Sequence, residues 1–460
     1  MGGSGHTRRD VLKAAGVGAA ALSVERRAFG REKRTRKPNV LLYVTDDHGT
    51  DDAGCYGNPV IKTPGLDMLA SEGTRFTRAF CTSASCSPSR SVILTGLHTH
   101  ATGQYGLAHS YHHFVSFAHV KSLPVLLSNA GYRTVSAGKF HVAPEGAYHF
   151  DQYIKRVSPR QMADTCRPII AAEDRRPFFL YFCTTEPHRP FHREGSDPVD
   201  PKDVIVPPYL PDTPECREEL AEYYGSVQRA DSGLVRLIEI LKETGRWEDT
   251  MIVYVSDNGI PFPGAKTTLY EPGIRLPCVV RNPYQKRRGI TSSAMITWAD
   301  ITPTILEFTG AMRPERDVHG HSFLSVLDQE NPEGWDEIYA SHTFHEVTMY
   351  YPMRVVRTRR YKLIWNIAHG LEYPFASDLW NSKTWQALLK RGDTHYAKRT
   401  VRAYIHRPKF ELYDLENDPD EIKNLADDKN YAAILEELKR KLKDFQERTD
   451  DPWILKWERE

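Results

Sequence analysis

Four stretches of the chain place charged or imidazole side chains directly after an apolar run. They are Thr45-Asp46-Asp47 after 39–44, Gly138-Lys139-Phe140-His141 after 133–137, Thr184-Thr185-Glu186-Pro187-His188 after 178–183, and Ser256-Asp257-Asn258-Gly259 after 251–255. A buried strand does not need such residues, and ligands of open α/β sheets bind beyond the carboxyl ends of the strands. We therefore expect these side chains to converge on one site.

The first and last of these stretches together provide three carboxylates and one amide oxygen. They are Asp46, Asp47, Asp257 and Asn258. Such a set of hard oxygen ligands suits Ca²⁺ or Mg²⁺ and does not suit zinc. Three carboxylates around one divalent ion leave excess negative charge, so an anionic substrate needs cations nearby. The available cations are Lys139, His141, His188 and Lys266.

A further candidate is the cysteine of Cys86-Ser87-Pro88-Ser89-Arg90, which continues to Leu94-Thr95-Gly96. Pro88 fits the first turn of a helix, which places Cys86 beside the positive end of the helix dipole. A nucleophile there would meet an anion that the backbone amides already favour. The cysteine by itself fits a buried structural thiol better, and the full eleven-residue pattern favours the nucleophile.

That pattern, Cys86-x-Pro88-Ser89-Arg90-x-x-x-Leu94-Thr95-Gly96, resembles the signature of the type I sulfatases. Other landmarks of the family follow in order: the Gly-Lys-x-His of 138–141, Pro187-His188, the 256–259 stretch, Lys266 before 269–273, and 412–425. The likeness covers nearly everything from Pro38 onward. Segments 104–114, 257–263, 345–354 and 451–453 are similar to the N-sulfoglucosamine sulfohydrolases of that family, which act on heparan sulfate. Lys266 departs from the arginine expected there in the animal enzymes.

The resemblance implies a set of cofactors and roles. Cys86 would be oxidised to formylglycine, whose hydrate is the nucleophile, by a formylglycine-generating or other sulfatase-maturing enzyme. Ca²⁺ would lie on the four oxygen ligands and on the modified side chain of Cys86. Arg90 would steady the hydrate, Lys139 and Lys266 would neutralise the transferring group, His188 would protonate the leaving group, and His141 would assist sulfate release. The predicted substrate-binding residues are His112, His113, Arg189, His345 and Glu346.

The predicted function is hydrolytic removal of sulfate, with the N-sulfate of glucosamine in heparan sulfate or heparin fragments as the first choice. Another sulfatase specificity for an O-sulfated sugar stays open, as does a phosphonate or phosphate monoester hydrolase of the same superfamily. A catalytically silent glycan-binding protein is the alternative from a different class, and it has no need of the Cys86 motif.

The elements that must position these residues are strands that alternate with helices, which predicts a mostly parallel sheet. Helices are expected over 63–73, 122–131 and 234–245. After residue 335, two strands at 361–365 and 410–413 and a helix over 435–445 indicate a smaller unit. With the resemblance, we expect an alkaline-phosphatase-like α/β catalytic domain over 37–335, its sheet sandwiched by helices, and a C-terminal α+β subdomain with an antiparallel sheet over 336–460.

The amino-terminal segment is interpreted as an export signal. Arg8-Arg9 precede a weakly apolar run over 14–24, which is typical of a twin-arginine signal and predicts an exported, periplasmic bacterial protein. Residues 1–36 are therefore excluded from the fold. Beyond residue 37 acidic side chains outnumber basic ones, and no apolar run reaches the ~20 residues of a bilayer span, so neither a nucleic-acid partner nor a membrane span is expected. Seven scattered cysteines do not indicate a disulfide framework, and a homodimer stays open.

Overall fold

The computed structural model describes residues 37–312 and 318–459, and an eight-stranded sheet lies at its centre. The strands are β1 (Asn39–Thr45), β2 (Thr74–Phe80), β3 (Arg133–Gly138), β4 (Gln152–Ile154), β5 (Phe178–Cys183), β6 (Thr250–Ser256), β7 (Cys278–Arg281) and β8 (Ile290–Thr297). Their order is β4-β3-β5-β1-β6-β7-β2-β8. β7 is antiparallel to both neighbours and the other strands run parallel. The predicted mostly parallel sheet is confirmed.

The three strands at the middle of this sheet are buried along their whole length. Every residue of β1, β5 and β6 is buried. Continuous apolar runs are what a parallel strand needs when both of its faces are covered. The middle of the sheet is thus a rigid support for whatever follows the strands.

The helices cover both faces of this sheet and extend into the second half of the chain. They are α1 (Pro64–Ser71), α2 (Cys86–Thr95), α3 (Thr99–Thr102), α4 (Leu123–Asn129), α5 (Pro159–Ala171), α6 (Pro214–Glu243), α7 (Glu271–Ile274), α8 (Ile301–Thr309), α9 (Ser377–Trp380), α10 (Lys383–Arg391), α11 (Val401–Ile405) and α12 (Ala432–Arg448). The helices predicted over 63–73, 122–131, 234–245 and 435–445 correspond to α1, α4, the end of α6, and α12. α2 begins at Cys86, as its proline at the third position favours.

A smaller antiparallel sheet follows in the chain. Its strands are β9 (Glu337–His342), β10 (Met353–Thr358), β11 (Tyr361–Asn366) and β14 (Phe410–Asp414), and a two-stranded ribbon adds β12 (His395–Tyr396) and β13 (Arg399–Thr400). The order of the four strands is β14-β11-β10-β9, and α12 packs its apolar side against them. The predicted boundary at 335/336 falls just before β9. Residues from Lys37 onward group as one compact unit, so the division into two domains stays a prediction.

Three further predictions concern the export signal, membrane spans and disulfides. The predicted twin-arginine segment lies outside the described residues. Within those residues, no helix is both long and apolar enough to cross a membrane. All seven cysteines are described, and none is in a disulfide.

Candidate active site

The four polar stretches follow strands that are neighbours in the sheet. β3, β5, β1 and β6 lie side by side in that order. Gly138 pairs with Cys183, and Thr45 pairs with Ser256, so these strands end at the same level. The side chains that follow them are therefore brought together, as predicted from their positions in the sequence.

Two glycines make this edge of the sheet possible. Gly138 has φ +86°, and a Cβ there would lie 2.1 Å from the carbonyl oxygen of Cys183. A Cβ on Gly259 would lie 1.9 Å from the carbonyl oxygen of Pro272. Only glycine fits such close backbone approaches. The glycines before Lys139 and after Asn258 therefore let the chain reach the site at these points.

Three buried carboxylates meet beyond the ends of β1 and β6. Ligand atoms of Asp46, Asp47, Asp257 and Cys86 all lie within 4.8 Å of one another, and all four residues are buried. The amide nitrogen of Asn258 donates to Oδ1 of Asp47 at 2.6 Å. The backbone N–H groups of Asp47 and Asn258 donate to Oδ1 of Asp257 at 3.1 and 2.8 Å. The predicted oxygen-ligand set is thus a single cluster.

The donor set of this cluster fits a hard divalent cation. Oδ1 of Asn258 is buried and has no hydrogen-bond partner among the described residues, so it is an oxygen available to a ligand. Burial raises the pKa of Asp257 to about 7, and Asp46 adds to that rise. Burial also raises the pKa of Asp47 to about 6, although Lys266 opposes it. The raised pKa values reflect negative charge in the cluster that is incompletely compensated. A bound Ca²⁺ or Mg²⁺ would compensate it.

Cys86 lies at the first position of α2 and is buried against this cluster. Its Sγ is 3.5 Å from Oδ1 of Asp46. Burial raises the pKa of the Cys86 thiol well above its ordinary value, although Lys139 opposes the rise. The unmodified thiol is therefore neutral at pH 7, and a neutral thiol is a poor nucleophile.

Arg90 connects α2 to the acidic cluster. Its Nε and one terminal nitrogen each lie 2.9 Å from Oδ2 of Asp257, and both side chains are fully buried. Another terminal nitrogen donates to the carbonyl oxygen of Lys139 at 3.1 Å. Arg90 thus holds a carboxylate of the cluster one helical turn after Cys86, as predicted.

Two lysines place positive charge against the cluster. Lys139 forms a salt bridge with Oδ2 of Asp46. Burial opposes ionisation of Asp46, but Lys139, Arg90 and Lys266 outweigh it and hold the pKa of Asp46 well below its usual value. Lys266 is buried, and its Nζ lies 2.9 Å from Oδ2 of Asp47.

The structure adds a carboxylate that the sequence interpretation missed. Oδ2 of Asp378, in α9, lies 2.8 Å from Nζ of Lys266 and 3.8 Å from Nε2 of His188. Burial opposes ionisation of Asp378, but Lys266 outweighs it and holds the pKa of Asp378 well below the usual value. No run of apolar residues precedes Asp378, so no strand end in the sequence pointed to it.

The two predicted catalytic histidines have different hydrogen-bond partners. Nε2 of His188 is 3.8 Å from Oδ2 of Asp47, and its Nδ1 donates to the carbonyl oxygen of Arg189. Burial lowers the pKa of His188 to about 4, and Lys266 adds to the effect. Nε2 of His141 forms a hydrogen bond with Nδ1 of His109, a partner that the sequence did not indicate. Burial also lowers the pKa of His141 well below its ordinary value.

A cavity of about 630 Å³ opens onto Cys86, Lys139, His141 and His188. Of the predicted substrate-binding residues, Arg189 and His345 lie in its wall. Nδ1 of His345 forms a 2.8 Å hydrogen bond with Oγ of Ser85, the residue before Cys86. One side chain thus connects the second half of the chain to the start of α2.

The other three predicted substrate contacts lie outside this wall. Nδ1 of His112 accepts from the backbone N–H of Val347 at 3.1 Å. Glu346 accepts from the hydroxyl and the backbone N–H of Ser377, at 2.6 and 2.9 Å, and so supports the start of α9. His113 is exposed. Their contact with substrate stays a prediction, and the structure gives His112 and Glu346 a role in holding loops.

Comparison with known families agrees with this arrangement. Residues 38–311 match the Sulfatase family model. This chain belongs to the sulfatase family. The second half, residues 265–378 and 391–448, matches the model described as N-sulphoglucosamine sulphohydrolase, C-terminal. The predicted enzyme class is thereby confirmed, and the chain is a sulfate-removing hydrolase.

Individual relatives span nearly the whole chain. The human N-sulphoglucosamine sulphohydrolase is 38% identical over 467 residues, covering 92% of each chain. An ulvan-active sulfatase of Formosa agariphila is 31% identical and covers 88% of this sulfatase and 79% of its own length. A protein solved in complex with its substrate D-glucosamine-2-N,6-O-disulfate superimposes with a TM-score of 0.69, at 22% identity, over 91% of this sulfatase and 99% of that chain. This likeness confirms the predicted fold.

Proposed function

We propose that this sulfatase removes the N-linked sulfate of a terminal glucosamine in heparan-type oligosaccharides. The observation that carries the proposal is the second half of the chain. Its match to the C-terminal model of the N-sulphoglucosamine sulphohydrolases includes Lys266, His345 and Asp378, and these three residues contact the site. The 38% identity to the human enzyme of that name supports the same specificity.

We propose Ca²⁺ and formylglycine as the cofactors. Asp46, Asp47, Asp257 and Asn258 would hold the ion, which supplies electrophilic polarisation of the sulfuryl oxygens when bound. Formylglycine at position 86 would supply a hydrated aldehyde as nucleophile, and the neutral, buried thiol of Cys86 supports the need for such a conversion. A formylglycine-generating enzyme is the proposed maturation partner, and export to the periplasm stays the proposed location.

Around the reacting sulfate, the chain's own residues do two things. Lys139 and Lys266 place two ammonium groups where negative charge accumulates on the transferring group, an electrostatic contribution that catalysis depends on. His188 faces the cavity and delivers a proton to the leaving nitrogen. The net reaction breaks the S–N bond, places that proton on the amine and releases sulfate, with water as the co-substrate. Since burial keeps substrate-free His188 neutral, the anionic sulfate must raise its pKa for this step.

The substrate assignment is tested with a panel of sulfated compounds. The purified enzyme should show a higher kcat/KM on N-sulfoglucosamine than on glucosamine 6-O-sulfate, and it should cleave para-nitrophenyl sulfate faster than a phenylphosphonate ester. A clear preference for the 6-O-sulfate would move the protein to another sulfatase specificity. Preference for the phosphonate would support the monoester hydrolase alternative.

The nucleophile is tested by removing one thiol at a time. Cys86→Ala should abolish turnover and leave thermal unfolding nearly unchanged, whereas Cys166→Ala, which removes another buried thiol in α5, should keep activity. Mass spectrometry of the peptide that contains residue 86 should show aldehyde in place of thiol in the active wild type. Activity of Cys86→Ala within tenfold of wild type would contradict the assignment.

His188 has its own test because the two leaving groups differ in their need for a proton. An amine leaves poorly unless it is protonated, whereas a nitrophenolate leaves without much help. His188→Ala should therefore lower kcat/KM far more on N-sulfoglucosamine than on para-nitrophenyl sulfate. Equal losses on both compounds would remove His188 from the role of proton donor.

A further inference from the structure

The wall of the active-site cavity carries an excess of positive charge. Its permanent cations, within the described residues, are Lys139, Arg156, Arg189 and Arg229, and Glu186 is its carboxylate. A concave surface lined by one sign of charge attracts anions more strongly than a flat one. A cation of the wall can bind a ligand fully only if no carboxylate of the protein is already paired with it.

Three of the four are already paired. Lys139 is bound to Asp46, and Arg189 to Glu219 at 2.7 Å. Arg229 lies 2.9 Å from Glu186 and 3.5 Å from Glu194. These pairs hold the wall in shape, and each uses part of the charge of its cation.

Arg156 differs from them. It lies in the exposed segment between β4 and α5, it lines the cavity, and it forms no ion pair or hydrogen bond with any described residue. Its neighbour Val157 also lines the cavity and is 46% exposed, which provides an apolar surface beside the guanidinium. Lys155, the preceding residue, is equally exposed and is not part of the wall.

An anionic group bound by Arg156 would be separate from the sulfate that is cleaved. The reacting sulfate has its own cations, which are Lys139 in the cavity wall and the buried Lys266. Arg156 makes no hydrogen bond or ion pair with either lysine or with the acidic cluster. A cavity of about 630 Å³ lies within the ~300–1,000 Å³ range of pockets that enclose drug-sized ligands, so it has room for more than one sugar ring. Arg156 is thus available to recognise the part of a substrate that follows the cleaved residue.

We propose that Arg156 forms a subsite for an anionic group on the sugar next to the one that loses its sulfate. The group is a carboxylate or a sulfate, both of which accept paired hydrogen bonds from a guanidinium. The inference rests on the proposed function, and it makes a charged disaccharide or longer oligosaccharide the preferred substrate over the free monosaccharide. Exposed His192, which lines the same cavity, adds a second polar contact for that sugar.

The test compares Arg156→Gln with Lys155→Gln, which removes the adjacent exposed cation outside the wall. Substrates are N-sulfoglucosamine, its disaccharide with a uronate, the same disaccharide with the carboxylate reduced to an alcohol, and a reduced form that carries one O-sulfate. The wild type should prefer the uronate disaccharide over the monosaccharide. Loss of one charge-assisted hydrogen bond should lower that ratio roughly tenfold in R156Q, mainly through KM. K155Q should keep the ratio within twofold. The two charged disaccharides tell a carboxylate from a sulfate as the recognised group.

A second measurement separates this inference from the proposed function. Calorimetry with the Cys86→Ala protein, with and without R156Q, gives the affinity for the uronate disaccharide and for the monosaccharide without any turnover. Weaker disaccharide binding in R156Q supports the subsite even if the wild type cleaves no N-sulfate. Equal affinities with and without R156Q, or the same loss in K155Q, would overturn it.

Discussion

Asp257 is the residue on which the proposed metal site depends most. It accepts two backbone hydrogen bonds and binds Arg90, while it faces the other two carboxylates. Asp257→Asn keeps the shape and removes one of three negative ligands. We expect activity to fall by orders of magnitude, and the rise in melting temperature that Ca²⁺ gives the wild type to shrink, because ligand binding stabilises the folded state in proportion to affinity.

A matched control is available at Asp52, which is also buried but lies outside the cluster. Burial raises the pKa of Asp52 to about 8, so its carboxyl group is neutral at pH 7 and resembles an amide. Asp52→Asn should therefore keep the response to Ca²⁺. If exhaustive chelation of the wild type changes neither activity nor melting temperature, the site does not exist.

Asp378 should act through its neighbours. Lys266 is buried between Asp47 and Asp378, so Asp378→Asn leaves its ammonium with Asp47 as its remaining carboxylate. The lysine would then move towards a proposed metal ligand and away from the substrate. We expect kcat/KM to fall roughly 10- to 100-fold, with partial recovery in Asp378→Glu. Asp393→Asn, which removes an exposed carboxylate paired with Arg391, should leave activity unchanged. Activity of Asp378→Asn equal to wild type would exclude a positioning role.

These residues also show how far the sequence could go. Asp46 and Asp257 were predictable because each follows a long apolar strand, and strand ends meet at one edge of a parallel sheet. Asp378 lies in the four-residue helix α9 and His109 in a loop, and only tertiary packing brings them to the site. His113 was predicted from similarity of a segment, and a similar segment does not by itself determine which side chain faces the cavity.

Some strands could be predicted from the sequence and others could not. β1, β5 and β6 were predicted because both faces are buried and their sequences are continuously apolar. β2 and β8 were missed because polar residues interrupt them, as in the Arg and Thr residues of β2. β7 has four residues, too few for its pattern to be told from a loop. Pairing with neighbours forms these strands, and pairing is not visible in a local pattern.

β10 offers a prediction about how the carboxyl-terminal segment is held. Arg354 in β10 binds both oxygens of Asp451, which follows α12, at 2.6 and 2.9 Å, and both side chains are buried. Burial opposes ionisation of Asp451, but Arg354 outweighs it and holds the pKa of Asp451 well below its usual value. Breaking such a pair leaves an uncompensated buried charge, which costs about 3–5 kcal/mol.

Arg354→Gln should therefore lower the free energy of unfolding by that amount in urea denaturation. The exposed pair of Arg287 and Glu330, 2.6 Å apart, is the control, since Arg287→Gln should cost about 1 kcal/mol or less. Similar small losses in both variants would mean that the buried pair does not hold the segment.

The two sheets complete one site together. The part of the chain that contains the large sheet contributes the oxygen cluster, Cys86 and His188, whereas His345 and Asp378 come from the part that contains the small sheet. Glu219 of α6 binds Arg189 at 2.7 Å and accepts from the backbone N–H and hydroxyl of Thr384 in α10. A wall residue of the cavity is thus held through contacts with both parts, and we expect loss of either part to disrupt the proposed site.

Buried histidines predict how the stability of this unit depends on pH. Burial lowers the pKa of His342 to about 3, and Arg407 and Arg354 add to the effect. Burial likewise lowers the pKa of His100, whose Nε2 donates to the carbonyl oxygen of Thr449, to about 4. Both are neutral in the folded protein, whereas in the unfolded chain they take up protons below pH ~6.5. The stability they contribute is complete above pH ~6.5 and is lost as the pH falls towards 4.

Each histidine should steepen this loss by up to ~1.4 kcal/mol per pH unit between pH 6 and 4. The measurement is the free energy of unfolding in urea across that range for the wild type, His342→Gln and His369→Gln. His342→Gln removes one buried histidine and should flatten the curve by that slope, whereas exposed His369→Gln should keep the slope of the wild type. Carboxylates titrate in the same range, but they are common to all three proteins and cancel in the comparison. Parallel curves for His342→Gln and the wild type would mean that His342 is already protonated in the folded protein.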